Sequence, residues 1–335
     1  MTVLRRMSAL ALAATLAAAG CGQDKPKVET SPSASTVAPP SALPPASAPP
    51  PPSALPPASA PAAGPISKVL LIAEENHGYD QIIGAPGAPY LNELARTYGS
   101  ATRMDAGYPA ACPSLAAYIL LTSGSTAGIC DDRAPKAHQL RGDNVFQQVA
   151  ASGRDWRGYA ESARGTCPLE NSFNGRYLVR HVPATYYLSV RRDCARWVVP
   201  LGVPDAGALH DDVAGGVLPA FDFVTPDACH DMHGGPLCRG DRVGVGDRWL
   251  RNWLPSILAG PDYRGGRLAI IITWDEGTST DNHIPTLVIS PTTRHIESDQ
   301  AFTHCSTLRT IEELLRLPLL GCAASATSMV AAFRL

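Results

Sequence analysis

The chain has 335 residues, with 28 Lys and Arg against 30 Asp and Glu, and a formal net charge of −2 at pH 7. This balance, without a basic stripe or an aromatic-basic motif, argues against a nucleic-acid-binding protein. Residues 66–335 are enough for one large domain with a buried core, so a single globular domain is expected there.

Residues 1–20 have the features of a secretory signal peptide. Arg5 and Arg6 precede an apolar run that is too short to span a bilayer. Small residues come directly before Cys21, as in the lipobox of bacterial lipoproteins, where the cysteine becomes the lipidated first residue. We therefore predict an exported envelope or extracellular protein, anchored to a membrane through lipidated Cys21. Ordinary cleavage that leaves Cys21 as a free thiol is the alternative.

Residues 22–65 are dominated by Pro, Ala and Ser, and the sequence S-A-L-P-P-A-S-A-P occurs at Ser41 and again at Ser53. Such a segment cannot bury a core and favours an extended, disordered spacer rich in polyproline. A tail without a spacer function is the alternative.

Eight of the 9 cysteines follow Cys21. An even number after a signal peptide indicates disulfides formed in an oxidising compartment. Zinc binding is disfavoured because no C-x-x-C pair is present. Our hypothesis pairs sequence neighbours, as Cys112–Cys130, Cys167–Cys194, Cys229–Cys238 and Cys305–Cys322.

The stretch from Lys68 to Asp80 begins as a continuous apolar run, which is typical of a strand buried on both faces. Ligands of open α/β sheets bind outside the carboxyl ends of the strands. The polar residues that follow the run are therefore a candidate site, with a solvated loop as the alternative. They are Glu74, Glu75, Asn76 and His77.

A helix is predicted over Pro89–Tyr98, and Ser100–Asp105 can return as a strand. A second helix is predicted to begin at Ser114 and to end at Gly124. A serine at this position can cap the helix, which is the commoner role. It can also act as a nucleophile that holds phosphate against the free N–H groups and the positive end of the helix dipole.

The middle of the chain is less regular. A helix over Asp143–Ser152 and a strand over Arg154–Glu161 are predicted, and we expect Glu161 to be an exposed strand end rather than part of a site. The Tyr-rich segment Cys167–Pro200 shows no clear periodicity, which favours an insertion or lid beside the site.

A short apolar strand, Phe221–Val224, runs into a loop rich in Asp and His. These residue types suit zinc, iron or manganese. The alternative is a polar surface loop fixed by the Cys229–Cys238 disulfide. The four candidate ligands are Asp227, His230, Asp231 and His233.

Gly246–Leu258 is amphipathic and is predicted to be a helix that Pro255 bends or divides, with Trp249 and Trp253 in the core.

The C-terminal region repeats the opening pattern. Arg267–Gly277 is a buried strand that ends in Asp275 and Glu276. A further strand follows His283, and a last helix begins near His304.

Three features together favour metal-assisted phosphoryl transfer. They are the acids at the ends of two buried strands, the Asp/His loop after a third strand, and the serine at the start of a helix. A metal would lower the pKa of the hydroxyl and polarise a phosphoryl oxygen. Imidazoles and Asn76 would stabilise charge on the equatorial oxygens.

Six segments carry a family resemblance: E-N-H-G-Y-D at Glu75, C-P-S-L-A-A-Y-I-L-L-T-S-G at Cys112, F-V-T-P-D-A-C-H-D-M-H at Phe223, T-W-D-E-G at Thr273, N-H-I-P-T-L-V-I-S-P at Asn282 and H-C-S-T-L-R-T-I-E-E-L at His304. In these segments the chain resembles the bacterial phosphoesterase family of secreted acid phosphatases and phospholipases C, within the alkaline phosphatase superfamily. The segments run in family order and cover nearly all of the chain after Lys68.

The resemblance implies an α/β fold, a three-layer α/β/α sandwich, with one or two divalent metal ions at the carboxyl edge of the sheet. It makes Glu75 and Asn76 the first metal-site pair, Ser114 the nucleophile and Asp275 an acidic metal ligand. Glu276 stands where some relatives have a second Asp, which leaves its direct ligation open.

Four further positions match polar residues that bind phosphate or complete a second metal site. Among them we predict His233 and His304 to be catalytic, together with Ser114 and Asn76. The remaining two, Asp231 and His283, are predicted as metal ligands, a role that Ser114 and Asn76 share. The flanking residues Glu74, His77 and His230 are expected behind the ligands or exposed.

The resulting prediction is a metal-dependent phosphomonoesterase of the acid phosphatase type that forms a phosphoserine intermediate on a small-molecule or lipid phosphate ester. A phospholipase C-type phosphodiesterase is the alternative, less favoured because no additional lipid-binding domain is evident. A non-catalytic surface lipoprotein that only binds ligands on the same fold is the alternative of another class. A sulfatase is not supported, since the C-x-P-x-R and S-x-P-x-R motifs are absent.

Overall fold

The computed structural model of the protein describes residues 65–335. The predicted signal peptide, the lipidation site at Cys21 and the spacer up to residue 64 lie outside the described residues. In the described range, strands and helices alternate along the chain, as in other α/β proteins. None of the helices in this range combines the length and the hydropathy that a membrane span requires.

The strands of residues 65–335 form one large sheet and one small pair. In chain order they are β1 (Lys68–Glu74), β2 (Gly99–Ala101), β3 (Met104–Asp105), β4 (Trp156–Ala160), β5 (Val198–Pro200), β6 (Phe221–Thr225), β7 (Leu268–Trp274), β8 (Thr286–Ile289), β9 (Ile296–Ser298) and β10 (Phe302–Thr303).

The α-helices are α1 (Tyr79–Ile82), α2 (Pro89–Thr97), α3 (Leu115–Ser123), α4 (Val145–Ala151), α5 (Cys194–Trp197), α6 (Ala208–Gly215), α7 (Arg242–Ala259), α8 (Pro261–Arg264), α9 (His304–Leu314) and α10 (Val330–Phe333). Short 3₁₀-helices are η1 (Val179–His181), η2 (Pro183–Thr185) and η3 (Gly321–Ala324).

The large sheet has the strand order β5-β4-β6-β1-β7-β8-β2-β9. Strand β1 is central and pairs in parallel with both β6 and β7, and β4 pairs in parallel with β6 and β5. Strand β8 runs antiparallel to β7 and β2. The polar segments that follow β1, β4, β6 and β7 therefore meet at one edge of the sheet.

Helices cover both faces of this sheet, so the predicted three-layer α/β/α sandwich is confirmed. Alternate residues of β1 belong to different cores. Leu70 and Ile72 pack with residues of α2 and α7. Val69 and Leu71 pack with residues of α3, α4 and α9.

The helix after Ser114 is enclosed on every side, because all residues from Leu115 to Thr122 are buried. It ends at Gly124, whose φ of 70° lies in the left-handed region. A Cβ at this glycine would stand 2.4 Å from the Leu320 carbonyl oxygen. Only glycine fits there, and α3 therefore ends at a fixed point.

The four disulfides expected from sequence neighbours are confirmed, since each of the proposed pairs is bonded. Four disulfides are consistent with an exported protein.

One detail of the prediction is wrong. Ser100–Asp105 does not form one strand, because β2 belongs to the large sheet and β3 to the small pair. Of the two effects predicted for Pro255, a bend or a division of the helix, division does not occur, because Pro255 lies within the single span of α7. Trp249 and Trp253 on this helix are buried, as predicted.

Candidate active site

The ends of β1 and β7 bring acids together at one edge of the sheet. The two strands pair in parallel with Glu74 opposite Trp274, so the residue after each strand reaches the same place. Asp275 Oδ1 accepts a hydrogen bond of 3.0 Å from the backbone N–H of Asn76. Asn76 has a left-handed φ of 49°, a conformation that Asn tolerates better than most residues. Its side-chain Nδ2 donates to Glu75 Oε2 at 3.0 Å.

Ser114 stands at the N-cap position of α3, yet its side chain makes no capping hydrogen bond. Its Oγ instead donates to Glu75 Oε2 at 3.1 Å. The N–H of Leu115 is bonded by a different residue, Asp132, whose Oδ1 lies 3.0 Å away. The hydroxyl of Ser114 is thus directed at the acids after β1 rather than used to close the helix.

Glu75 is fully buried. Its other carboxyl oxygen, Oε1, has two partners of its own. The Tyr118 hydroxyl donates to Oε1 at 2.7 Å, and His181 Nε2 lies 2.9 Å from the same atom. Burial by itself would raise the pKa of Glu75, but His181 outweighs it through charge and hydrogen bonding and lowers the pKa to about 2.

His181 joins Glu75 to the loop after β6. Its Nδ1 lies 3.2 Å from Asp231 Oδ2, and ligand atoms of Glu75, His181 and Asp231 all lie within 4.8 Å of one another. Burial would lower the pKa of His181, but the two carboxylates raise it to about 9. Burial raises the pKa of Asp231 to about 6, against the opposing effect of His181.

Asp275 and Glu276 extend the group along the same edge. Burial, reinforced by the charges of Glu75 and Glu276, holds the pKa of Asp275 well above its usual value. Burial also raises the pKa of Glu276 to about 7, although the hydrogen bond from Tyr108 opposes this rise. The Tyr108 hydroxyl lies 2.8 Å from Glu276 Oε2.

His304 begins α9 and is buried beneath these acids. Its Nε2 lies 2.6 Å from the Asp275 carbonyl oxygen, to which it must donate. Burial lowers the pKa of His304 to about 4, so the ring is neutral near pH 7. Its Nδ1 is therefore a lone-pair atom, and it is buried without a hydrogen-bond partner.

His233 lies on the side of the group that faces the Cys167–Pro200 segment. Its backbone N–H donates to Asp231 Oδ1 at 2.8 Å, and its Nε2 lies 3.2 Å from Arg180 Nη2. Arg180 Nε lies 3.1 Å from Asp132 Oδ2. The predicted lid thus contributes Arg180 and His181 to the surroundings of Ser114.

Of the residues predicted for the site, His283 is the one that these contacts do not include. Its Nε2 lies 3.0 Å from the Thr102 carbonyl oxygen, and its ring stacks on Tyr79 with centroids 4.6 Å apart. His77 is also turned away, since its Nδ1 lies 3.0 Å from the Glu75 carbonyl oxygen.

A second group of possible ligands consists of Glu161, Asp227 and His230. The expectation that Glu161 is an exposed strand end is wrong, because its side chain is 17% exposed and lies 2.9 Å from His230 Nδ1. Asp227 is occupied by the Arg176 guanidinium, with Nε 2.6 Å from Oδ2. This group is an ion-pair network that fixes the loop carrying Asp231.

Glu74 points to the opposite face of β1 from Glu75. It is fully buried, and neither of its carboxyl oxygens has a hydrogen-bond partner among the described residues. Burial holds the pKa of Glu74 well above its usual value, with Asp231 and Glu161 adding to the rise. The protonated form of this carboxyl is therefore favoured more strongly than that of an exposed glutamate.

The donor atoms around Ser114 fit a divalent metal ion. Buried polar atoms are normally hydrogen-bonded, so a set of unpartnered ones at one place indicates a missing partner. Carboxylate oxygens and imidazole nitrogens are ligands for such cations. Asp275 Oδ2 and His304 Nδ1 are the two unpartnered buried atoms at this edge, and the carboxylates of Glu75 and Asp231 meet beside them at His181.

The fold is that of the alkaline phosphatase superfamily. A crystal structure of a member of that superfamily from Vibrio parahaemolyticus superimposes with a TM-score of 0.52 over 76% of this chain and 67% of the other, at 14% sequence identity. At this identity the likeness establishes the fold alone.

The sequence matches the model of the Phosphoesterase family over residues 85–318, and the protein therefore belongs to this family. Phosphatidylinositol-3-phosphatase of Mycobacterium tuberculosis is 28% identical over 262 residues, which are 77% of this chain and 80% of the relative. An acid phosphatase of Aspergillus fumigatus is 26% identical over 171 residues, which are 48% of this chain but only 36% of that protein. Family and relatives together identify the protein as a phosphoric ester hydrolase.

Five residues of these surroundings were not predicted from the sequence: Tyr108, Tyr118, Asp132, Arg180 and His181. Tyr118 lies one helical turn after Ser114 and therefore faces the same way, which was a usable signal. Arg180 and His181 lie in an irregular segment where no periodicity indicates direction.

Proposed function

We propose that the protein is a metal-dependent phosphomonoesterase that acts through a phosphoserine intermediate on Ser114. The observation that carries this proposal is the position of the Ser114 hydroxyl. It lies 3.1 Å from Glu75 Oε2, within a group of acids and imidazoles in which Asp275 Oδ2 and His304 Nδ1 are buried without a partner. A serine used only as a helix cap would instead bond the N–H groups of its own helix.

The metal ligands in this proposal are the residues around the serine hydroxyl. Glu75, Asn76 and Asp275 supply oxygen atoms beside Ser114, and Glu276 lies next to them. Asp231 and His181 form the adjoining set and can hold a second ion. A divalent ion bound there would lower the pKa of the hydroxyl and polarise a phosphoryl oxygen. His283, which contacts neither set, is left out.

In the first step, Ser114 Oγ forms a bond to phosphorus while the bond from phosphorus to the ester oxygen breaks and the alcohol leaves. Glu276 lies beside Ser114, and burial raises its pKa to about 7, so it can accept the serine proton and return it to the departing oxygen. Water then attacks the phosphoserine, phosphate leaves, and Ser114 regains its proton.

The names of the two relatives support a monoester substrate, because both are phosphatases. The phosphatidylinositol-3-phosphatase adds the possibility that the substrate is a lipid phosphate. A phospholipase C-type reaction on a diester is the second candidate, because it needs the same nucleophile and metal.

A panel of phosphate esters tests the function. The protein is loaded with Mg²⁺, Mn²⁺, Zn²⁺ or Ca²⁺ and assayed on p-nitrophenyl phosphate, bis(p-nitrophenyl) phosphate, phosphatidylinositol phosphates and phosphatidylcholine. We expect monoesters to be hydrolysed and the activity to be lost with a chelator. Faster cleavage of the diester or phosphatidylcholine would favour the phospholipase C-type reaction. No turnover together with no bound metal would favour the non-catalytic binding protein.

The nucleophile is tested with Ser114→Ala. Ser123→Ala, on the last turn of the same helix, is the matched control because its hydroxyl only bonds the Ile119 and Ser125 carbonyl oxygens. Ser114→Ala is expected to lose at least about 1,000-fold in kcat. Unchanged turnover of this variant with metal present would refute the proposed intermediate.

Export and a lipid anchor at Cys21 complete the proposal. They are supported by the N-terminal sequence and by the four disulfides. In a bacterial host, the protein should partition into the membrane fraction and Cys21→Ser should move it out of that fraction. A wild-type protein that is soluble in the same host would refute the anchor.

A further inference from the structure

Arg180 is the cation that the proposed function leaves without a role. It lies in η1, and its side chain is 14% exposed. In the described part of the chain, it is the one arginine or lysine that contacts any of Glu75, Ser114, His181, Asp231, His233, Asp275 or Glu276. That contact is the hydrogen bond of 3.2 Å with His233 Nε2.

Asp132 is the second partner of this arginine and also binds the start of the nucleophile helix. Its Oδ2 lies 3.1 Å from Arg180 Nε, and its Oδ1 accepts the Leu115 N–H at 3.0 Å. Leu115 directly follows Ser114. One carboxylate is thus held between a guanidinium and a free N–H of the helix N-terminus, two groups that also bind phosphate oxygens.

The charge balance of the site calls for such a cation. Glu75, Asp231, Asp275 and Glu276 all repel an incoming phosphate, and a bound metal offsets only part of this charge. Asp132 contributes to the rise in the pKa of Glu276, so its charge is felt among these acids. A guanidinium beside His233 counters this repulsion, and its planar fork matches two phosphate oxygens at once.

We propose that Arg180 binds the phosphate group of the substrate, and that Asp132 is an internal counter-ion which holds Arg180 until the phosphate displaces it. Nothing else in the group around Ser114 combines a permanent positive charge with hydrogen-bond donors. This proposal rests on the proposed function, because it assigns Arg180 to the same site. Arg180 touches the substrate, whereas Asp132 acts through Arg180 and positions it.

The test measures the affinity of the metal-loaded full chain for inorganic phosphate by isothermal titration calorimetry, alongside kcat and KM for p-nitrophenyl phosphate. Arg180→Gln should bind phosphate about 10- to 100-fold more weakly than the wild type, because it loses a charge-assisted, two-pronged hydrogen bond. Arg180→Lys should recover only part of this loss, since it restores the charge without the fork. Arg192→Gln is the matched control, because Arg192 is an exposed arginine of the same segment.

Asp132→Asn is expected to gain phosphate affinity, a result that an unfolded variant could not give. Removing the negative charge frees Arg180 and reduces repulsion, so phosphate affinity should rise several-fold while the Leu115 N–H keeps an acceptor. The proposal is overturned if Arg180→Gln binds phosphate as tightly as Arg192→Gln, or if Asp132→Asn binds it more weakly than the wild type. Thermal melts of all variants confirm that each is folded.

The experiment also separates this proposal from the proposed function. A wild-type protein that binds phosphate through Arg180 but hydrolyses no ester would refute the enzyme and keep the phosphate-binding role of Arg180. If the wild-type protein hydrolyses p-nitrophenyl phosphate, and Arg180→Gln leaves KM and phosphate affinity unchanged, the enzyme is kept and the phosphate-binding role of Arg180 is refuted.

Discussion

His181 Nε2 lies 2.9 Å from Glu75 Oε1, and both side chains are almost completely buried. The contact joins the end of the central strand to the irregular segment that covers it. It also explains why two acids, Glu75 and Asp231, can share one buried space, since the imidazolium between them offsets their charges in the absence of metal.

Replacement of His181 is therefore expected to destabilise the metal-free protein. His181→Gln should lower the free energy of unfolding by about 3–5 kcal/mol, because it leaves two buried acids without their cation. Saturating divalent metal should recover part of the loss. Thermal and urea unfolding with and without metal measure this, with His210→Gln as the control because the His210 ring only donates to the Pro204 carbonyl oxygen. Equal losses in the two variants would contradict the account.

Metal affinity should rise with pH. Ligand atoms must lose their protons to bind a cation, and in the metal-free protein the pKa values are about 6 for Asp231, about 7 for Glu276 and about 9 for His181. Affinity should therefore increase between about pH 6 and pH 9, with proton release on binding. Calorimetry in buffers of different ionisation enthalpy measures the released protons. Release of none at pH 7 would contradict this set of ligands.

Asp231, Glu276 and His181 also determine how the stability of the metal-free protein depends on pH. The folded pKa of each of the three lies above its ordinary value, so the folded state holds more protons than the unfolded state between about pH 4 and pH 9. Stability should then fall as pH rises through this window, and the His181 part should be lost as pH passes 9. Urea unfolding at pH 5.5, 7.5 and 9.5 with chelator present measures it. A rise in stability from pH 5.5 to 9.5 would be the contrary result.

Gly124 should tolerate no side chain. Gly124→Ala puts a Cβ 2.4 Å from the Leu320 carbonyl oxygen at a φ of 70°, which costs about 1–3 kcal/mol in strain before any shift of the backbone. Gly142→Ala is the matched control, because a Cβ there meets no atom within 4 Å. Unfolding in denaturant compares the two, and similar stabilities would contradict the predicted clash.

Much of the fold follows from the sequence because buried strands leave a strong signal. The apolar runs before Glu75 and Asp275 predict two buried strands that end in acids, and in the structure these strands pair in parallel and bring both acids to one edge. His181 gives no such signal, because its direction depends on how an irregular segment packs on α3. His283 is the opposite case, a residue that the sequence assigns to the site but that does not contact it. It lies close to the site in sequence, yet its ring is held by Thr102 and Tyr79.

Helix α3 is enclosed on all sides, whereas the segment between Cys167 and Cys194 covers the site from outside and is joined by its own disulfide. The proposed chemistry therefore draws on two kinds of element, since Ser114 stands on a helix with little freedom to vary and Arg180 and His181 stand on the segment that this disulfide closes. A chain that exchanged this segment would keep the serine in place but would have to replace the charges that Arg180 and His181 bring to it.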